Sequence, residues 1–290
     1  MKQANIFLTG ATGSVGTELI RQLEPLNVQV KALVRSDSQA APLHGLPHVQ
    51  TITGDLADKA SFQRALEGIE TAFLLTNSSQ QAESLQINFV EAAHRAGVRH
   101  IVKLSQFAAS ESSPVRFLRY HAQVENRIKE LGFTYTYLRP NLYMQGVLSF
   151  KDYIREKGHF FAAIGAGKVS AIDVRDIAAV AAACLTQPGH ENKIYDLTGP
   201  EPLSHHEMAG IFSRVLNKPV QFIDVAPAQM QAGLLAAGFG NWQADGLIED
   251  YAHYARQEAA AVCNDVQAVT GKSAISFEQF ARDYAGLFGA

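Results

Sequence analysis

Cysteine is scarce in this chain. Its 290 residues include two, Cys184 and Cys263. They stand far apart, in segments with helical patterning and outside any Cys-x-x-Cys or metal-ligand spacing. A disulfide framework is therefore excluded, and both read as small core residues of a protein from a reducing compartment. Long apolar runs are missing as well. None approaches the roughly 18 residues of a membrane span, and the N-terminal glycines interrupt what would be the apolar core of a secretion signal. A cytoplasmic protein with no membrane association is expected. Neither sign of charge dominates: 25 Lys and Arg against 28 Asp and Glu leave a formal charge of −3. The signs are interspersed, so there is no basic footprint for nucleic acid or a membrane surface. The His205-His206 pair lacks a third ligand at a suitable spacing and reads as helix capping or decoration, so no metal is expected. Internal repeats and low-complexity stretches are also absent.

What the chain does have is a 47% hydrophobic content, ample for a core, and a regular alternation of apolar strands with helical patterns. Strands are expected at 5–9, 28–34, 49–53, 71–75, 100–104 and 134–138, with the clearest helices at 81–96 and 115–131. Such alternation builds right-handed β-α-β units around a parallel sheet. Gly97 and Gly132 fall just past the last turns of those two helices. The rhythm changes after about Pro140. A helical region over 143–157 leads through a turn at Gly165-Ala166-Gly167 to a buried helix opened by Asp173-Val174-Arg175-Asp176-Ile177, where Asp176 is expected to cap and pack. A strand at 193–197 precedes Ser204-His205-His206-Glu207, a capping box for a helix to Leu216. The remaining ~70 residues read as mostly helical. The organisation expected is a doubly wound α/β domain over 1–140, with 173–200 contributing to its core. Residues 141–290 form an intertwined, mostly helical cap.

The strongest local signal opens the chain. The apolar run Asn5–Leu8 enters Thr9-Gly10-Ala11-Thr12-Gly13-Ser14-Val15-Gly16, followed by a helical pattern. Glycines at this spacing between strand and helix let the backbone approach a pyrophosphate and aim free N–H groups at its charge. Nineteen residues beyond Gly16, at the end of the second strand, stands Arg35. A carboxylate there would bind the ribose hydroxyls of NAD, whereas an arginine fork suits a 2′-phosphate and so argues for NADP(H). The alternative is a strand-end arginine facing water. After the third strand, the Asp55 carboxylate suits the adenine amine and Leu56 the ring face; Asp55 also reads as N-cap of a helix starting near Lys59. After the fourth, Leu75, Thr76 and Asn77 should line the middle of the cofactor.

Together with Gly97–Val102, Tyr135–Pro140 and Asp173–Ile177, these motifs resemble the atypical short-chain dehydrogenases, and more narrowly their NmrA-like branch. Gly189–Tyr195 and Val266–Lys272 are similar to the bacterial NAD(P)H:quinone oxidoreductases and triphenylmethane reductases within it. The resemblance spans essentially the whole chain. It implies an NADP(H)-binding Rossmann domain with a small cap over the substrate cleft. It also implies that Pro140, Asn141, Leu142 and Tyr143 pass beside the nicotinamide, and that Ser105 keeps the position of the family's serine.

The chain departs from the wider family at its acid. Typical members carry Tyr-x-x-x-Lys on the helix after the fifth strand. Aligning Glu125 with the glutamate that usually follows that lysine puts His121 in the lysine position and Phe117 in the tyrosine position. Tyr120 lies about 100° around the helix from His121 and cannot substitute. Hydride delivery to a ketone makes a strongly basic alkoxide and needs an acid. A quinone gives a much weaker base that solvent or His121 can protonate, and a cationic dye is simply neutralised. The implied activity is NADPH-dependent hydride transfer to electron-poor aromatic acceptors: quinones, with azo or triphenylmethane dyes in range. His121 reads either as a late proton donor or as a neighbour of the cofactor ribose or phosphate. Phe107, Tyr143, Phe150 and Trp242 read either as pocket or as core, with Tyr143 the foremost pocket candidate; His121, Ser105 and Tyr143 are the candidate catalytic residues. A monomer or homodimer is expected. The rival reading is a non-catalytic NADP(H)-binding redox sensor of the NmrA type. A nucleotide-sugar epimerase is disfavoured, since Phe117 cannot act as a base.

Overall fold

The computed structural model of the chain describes residues 5–289. Its central feature is a seven-stranded sheet: β1 (Asn5–Leu8), β2 (Gln29–Val34), β3 (Val49–Thr53), β4 (Thr71–Leu74), β5 (His100–Leu104), β6 (Thr134–Pro140) and β7 (Lys193–Leu197). The spatial order is β3-β2-β1-β4-β5-β6-β7. The pairs from β3 through β6 are parallel; Leu8 of β1, for instance, lies opposite Ala32 on one side and Phe73 on the other. Ile6, Phe7 and Leu8 are all fully buried, as they must be in a strand covered on both faces, which is why β1 reads as a continuous apolar run. The order reverses between β1 and β4, and ligands of open α/β sheets lie at the carboxyl ends of the strands at such a switch point.

The helices Ala82–Arg95 and Arg116–Glu130 cover one face. Phe89, Val90 and Ala93 from the first, and Val124 and Ile128 from the second, join Phe7, Ala72 and Ile101 in one core. Gly97 and Gly132 end these helices at φ +81 and +76, a conformation that side chains with a Cβ rarely adopt.

The chain folds as two compact units. The first takes in Met1–Glu111, Leu118–Arg139 and Ile177–Tyr195; the second Ser112–Phe117, Pro140–Asp176 and Asp196–Ala290. The second unit has its own aromatic core, in which Phe212 stacks edge-on with Phe277 and Phe288 at 5.2 and 4.9 Å. The Ser204–Glu207 capping box forms as expected, with Ser204 N–H donating to the glutamate at 2.7 Å.

The last 70 residues are mostly helical, as expected, and also hold one short strand, Gln221–Asp224, paired in parallel with His159–Ala162. Two four-residue strands 62 positions apart show no alternation long enough to stand out from the sequence. Three local expectations are corrected. Cys263 is half-buried in an irregular segment rather than a helix, while Cys184 is buried in the helix Val174–Thr186. At that helix's start Asp173, not Asp176, accepts the N–H of Arg175 at 2.9 Å; Asp176 instead accepts from Ile275 N–H at 2.8 Å. Before Lys59 the N-cap is Asp58, accepting from Ala60 N–H at 3.1 Å, so Asp55 has no capping role.

Candidate functional site

Immediately after β1 the chain turns at Gly10, where φ is +68; a Cβ there would stand 2.7 Å from Leu75 Cγ. Gly13 N–H closes the turn onto Gly10 O at 3.1 Å. Gly16 lies beneath it, and a Cβ at Gly16 would lie 2.1 Å from Gly10 O, inside any tolerable contact. Ala11 and Val15 are buried, whereas Thr12, Gly13 and Ser14 are exposed. The helix Ser14–Leu23 begins there with no side-chain cap, which leaves its first N–H groups free for an anion. Thr9 locks this turn to the end of β4: its hydroxyl donates to Leu75 O and accepts from Leu75 N–H, each at 2.8 Å.

Around this cradle the first unit gathers the other expected cofactor residues. Arg35 is exposed just past β2, and its N–H donates to Gln39 Oε1 at 2.9 Å, so the backbone there is held while the guanidinium stays at the surface. Ser36 caps the short helix that comes next. Past β3, Asp55 is exposed and accepts from Ala57 N–H at 2.8 Å, next to half-buried Leu56. Past β4, Thr76 accepts from Gln86 Nε2 at 2.8 Å and Asn77 is exposed. A close-packed glycine turn, an uncapped helix start and an exposed arginine past β2 fit a phosphorylated dinucleotide. Bound there, that group supplies a hydride.

The helix Arg116–Glu130 carries a buried stripe in which two polar side chains, His121 and Glu125, alternate with Val124 and Ile128, the four standing at i, i+3, i+4 and i+7. Glu125, 2% exposed, receives two bonds from Arg139: Nε to Oε1 at 3.0 Å and Nη2 to Oε2 at 2.5 Å. Ser105 donates its hydroxyl to the same carboxylate at 2.5 Å, so its proton is engaged with the protein. Tyr137 donates to Glu125 O at 2.7 Å. His121 is buried, and its Nδ1 lies 2.7 Å from Nζ of Lys103, a fully buried lysine of β5. Burial, with Lys103 and Arg139 nearby, holds the imidazole well below its ordinary pKa, hence neutral. Burial likewise brings Lys103 down to about 7, with Glu125 opposing and Arg139 reinforcing the shift. Tyr120, beside His121, has its hydroxyl 3.1 Å from Ser78 Oγ. Lys103 is the member that motif reasoning overlooked. The available signal was a lysine inside a central parallel strand, where both faces are buried.

In the second unit, Tyr143 and Phe150 line one cavity with Phe160, Phe161, Tyr251 and His205 among others; it encloses about 430 Å³ of space outside protein atoms, part of it open to solvent. The His205 imidazole is 5% exposed and its Nδ1 has no hydrogen-bond partner among the described residues. Leu142 shares this lining. Asn141 does not join it; its buried amide donates to Ser170 Oγ at 3.0 Å and to Ala259 O at 2.8 Å, pinning the chain just after Pro140. Phe107, half-buried in the loop after β5, belongs to the first unit. Trp242 packs on Phe117 at 5.4 Å between centroids and lies under the Arg116 guanidinium. Phe117 is 4% exposed, and a Cβ on Gly246 would stand 2.3 Å from its ring. The position aligned with the family's tyrosine is thus filled by tight packing within the second unit.

The sheet order and the glycine cradle at its switch point define a dinucleotide-binding α/β protein. Residues 2–272 match the model of the NmrA-like family, and the chain belongs to that family. It is 36% identical over 285 residues to the NAD(P)H azoreductase of Xenophilus azovorans, covering 98% of this chain and 99% of that protein. Two solved structures are similar throughout. The NADPH-dependent quinone oxidoreductase of Escherichia coli, complexed with NADPH, superposes with a TM-score of 0.87 at 27% identity, over 96% of this chain and 99% of that one. The triphenylmethane reductase of Citrobacter sp., complexed with NADP(H), gives 0.86 at 28%, over 97% and 99%.

Proposed function

We propose that this chain is an NADPH-dependent oxidoreductase that passes a hydride to electron-poor aromatic acceptors, quinones first, with azo compounds and triphenylmethane dyes in the same range. The carrying observation is a pairing of presence and loss. The glycine cradle and Arg35 are intact, while the tyrosine–lysine positions hold a packed Phe117 and a neutral, buried His121. Without a phenol donor the reaction must leave charge that the acceptor itself can carry. The names of the similar proteins support this acceptor class. The aromatic walls of the cavity at Tyr143 and Phe150 suit a flat apolar ring, and we assign the acceptor to it. Arg35 takes the 2′-phosphate, and Gly10 to Gly16 the pyrophosphate. Tyr143 contributes as a wall rather than as an acid.

The test is NADPH oxidation by purified protein with benzoquinone, menadione and a simple ketone. Turnover is expected with both quinones and none with the ketone. Tight NADP+ binding with background turnover on every acceptor would establish the redox-sensor reading instead.

A further inference from the structure

One side chain of the aromatic cavity is out of keeping with the rest. Every residue lining that cavity belongs to the second unit, none carries a full charge, and His205 stands among them. Its imidazole is boxed by the ring of Phe222 at 5.1 Å and by those of Phe160 and Tyr251, each at 6.1 Å. Burial, reinforced by His206 and opposed by Asp224, brings its pKa down to about 4, so the ring is neutral at working pH. A neutral imidazole offers one N–H donor and one acceptor lone pair. The protein uses neither. Nδ1 is closed to solvent without a partner, and Nε2, which is not closed off, also has none among the described residues. A phenylalanine would fill the box without leaving a buried polar atom unmatched.

The two nitrogens are not equivalent. His205 is the first residue of the helix His205–Val215, and Nδ1 is the nitrogen nearer its own backbone. A sealed N–H with no acceptor is a rarer and costlier orphan than a sealed lone pair. The positive end of the helix dipole also favours a lone pair on that side. The proton therefore belongs on Nε2, the nitrogen left accessible.

We propose that His205 is the specificity-determining anchor of this cavity, donating Nε2–H to the carbonyl oxygen of an uncharged, flat aromatic ring held by the aromatic walls. The inference deepens the assignment of the acceptor to this cavity and rests on that reading; the binding it describes involves the second unit alone. A ring without oxygen gains only contact with the walls. A ring with a carbonyl gains the hydrogen bond as well, and the otherwise idle imidazole acquires a partner. Tyr251 adds no charge, since burial, with Asp250 nearby, pushes its phenol up to about 12. A sulfonate or carboxylate on the ring therefore finds no cation among the lining residues, and burying it there is costly. The cavity selects neutral quinones over charged or oxygen-free rings of the same size.

The experiment uses the full chain without cofactor, with 1-indanone and indane as probes: the same fused ring with and without a carbonyl, neither reactive toward thiols. His205→Phe keeps an aromatic ring in the box and leaves the Ser204–Glu207 cap in place. His205→Gln keeps an N–H donor at similar reach. Met144 and Met208 line the cavity, so their ¹³C-labelled methyl signals report occupancy in every variant. The preference for the ketone, Kd of indane over Kd of indanone, should fall about 3- to 10-fold in His205→Phe, the worth of one neutral hydrogen bond. His205→Gln should recover most of it. Two-bond ¹⁵N spectra should show wild-type His205 as Nε2–H, its signal identified by its loss in His205→Phe. With NADPH, KM for menadione should rise in His205→Phe by the same factor. An unchanged ketone preference in His205→Phe, an Nδ1–H tautomer, methionine signals that respond to neither probe, or an unmoved KM for menadione would overturn the proposal. A wild type that reduces no quinone would sink the reductase reading, while the probe titrations, which need neither cofactor nor turnover, still decide the anchor.

Discussion

Replacing Arg35 by alanine isolates the one group on which cofactor choice is argued to turn. The loop that carries it should survive the change, because Gln39 Oε1 holds the Arg35 backbone N–H and Ser36 caps the next helix. A charge-assisted contact to a phosphate is worth roughly 1.5–3 kcal/mol. The Arg35 side chain is exposed, so solvent screening trims this to about 1–2 kcal/mol. That corresponds to roughly a 5- to 30-fold weaker grip on NADPH. The assay is KM for NADPH and for NADH at saturating menadione, with NADP+ and NAD+ titrations alongside. KM for NADPH should rise by that factor, KM for NADH should stay within about two-fold, and the NADPH penalty should shrink at high salt as the Debye length contracts. Equal losses for the two cofactors would refute the phosphate role and leave Arg35 as a strand-end arginine facing water.

Gly16→Ala puts a methyl group 2.1 Å from Gly10 O, so it should abolish NADP+ binding in calorimetry even in protein that still melts cooperatively. Phe117→Tyr adds a hydroxyl to a ring already pressed on Gly246; stability should fall by about 1–3 kcal/mol in denaturant titration, and ketone reduction should remain absent. Asp176 is pushed up to about 6 by burial, so its ionisation opposes folding, and stability is lost as pH rises from about 4 through 6. Asp176→Asn keeps an acceptor for Ile275 N–H, so it should stabilise the protein by about 1–3 kcal/mol at pH 8 and by nothing at pH 4; an equal gain at both pH values would contradict this account.

The sheet and its cradle are legible in the sequence because each depends on local pattern. Ile6, Phe7 and Leu8 of β1 are buried in a sheet covered on both faces, so they must be apolar. Gly16 must be glycine because another backbone atom occupies the place of a Cβ. The chain beyond β6 is less legible, since the strands His159–Ala162 and Gln221–Asp224 exist only through their mutual pairing. The same distinction governs the site. Aligning the helix Arg116–Glu130 shows which side chains have replaced the tyrosine and the lysine, but it carries no information about the groups opposite them. Phe117 reads as a bare apolar wall until Trp242 and Gly246 are seen to enclose it, and the loss of the dyad lysine reads as the loss of a cation until Lys103 is found against His121, supplied by a strand instead of the helix. A motif is written along one element, whereas the electrostatics of a buried group are set by every element around it. The absent lysine of a helix therefore does not by itself make a site neutral.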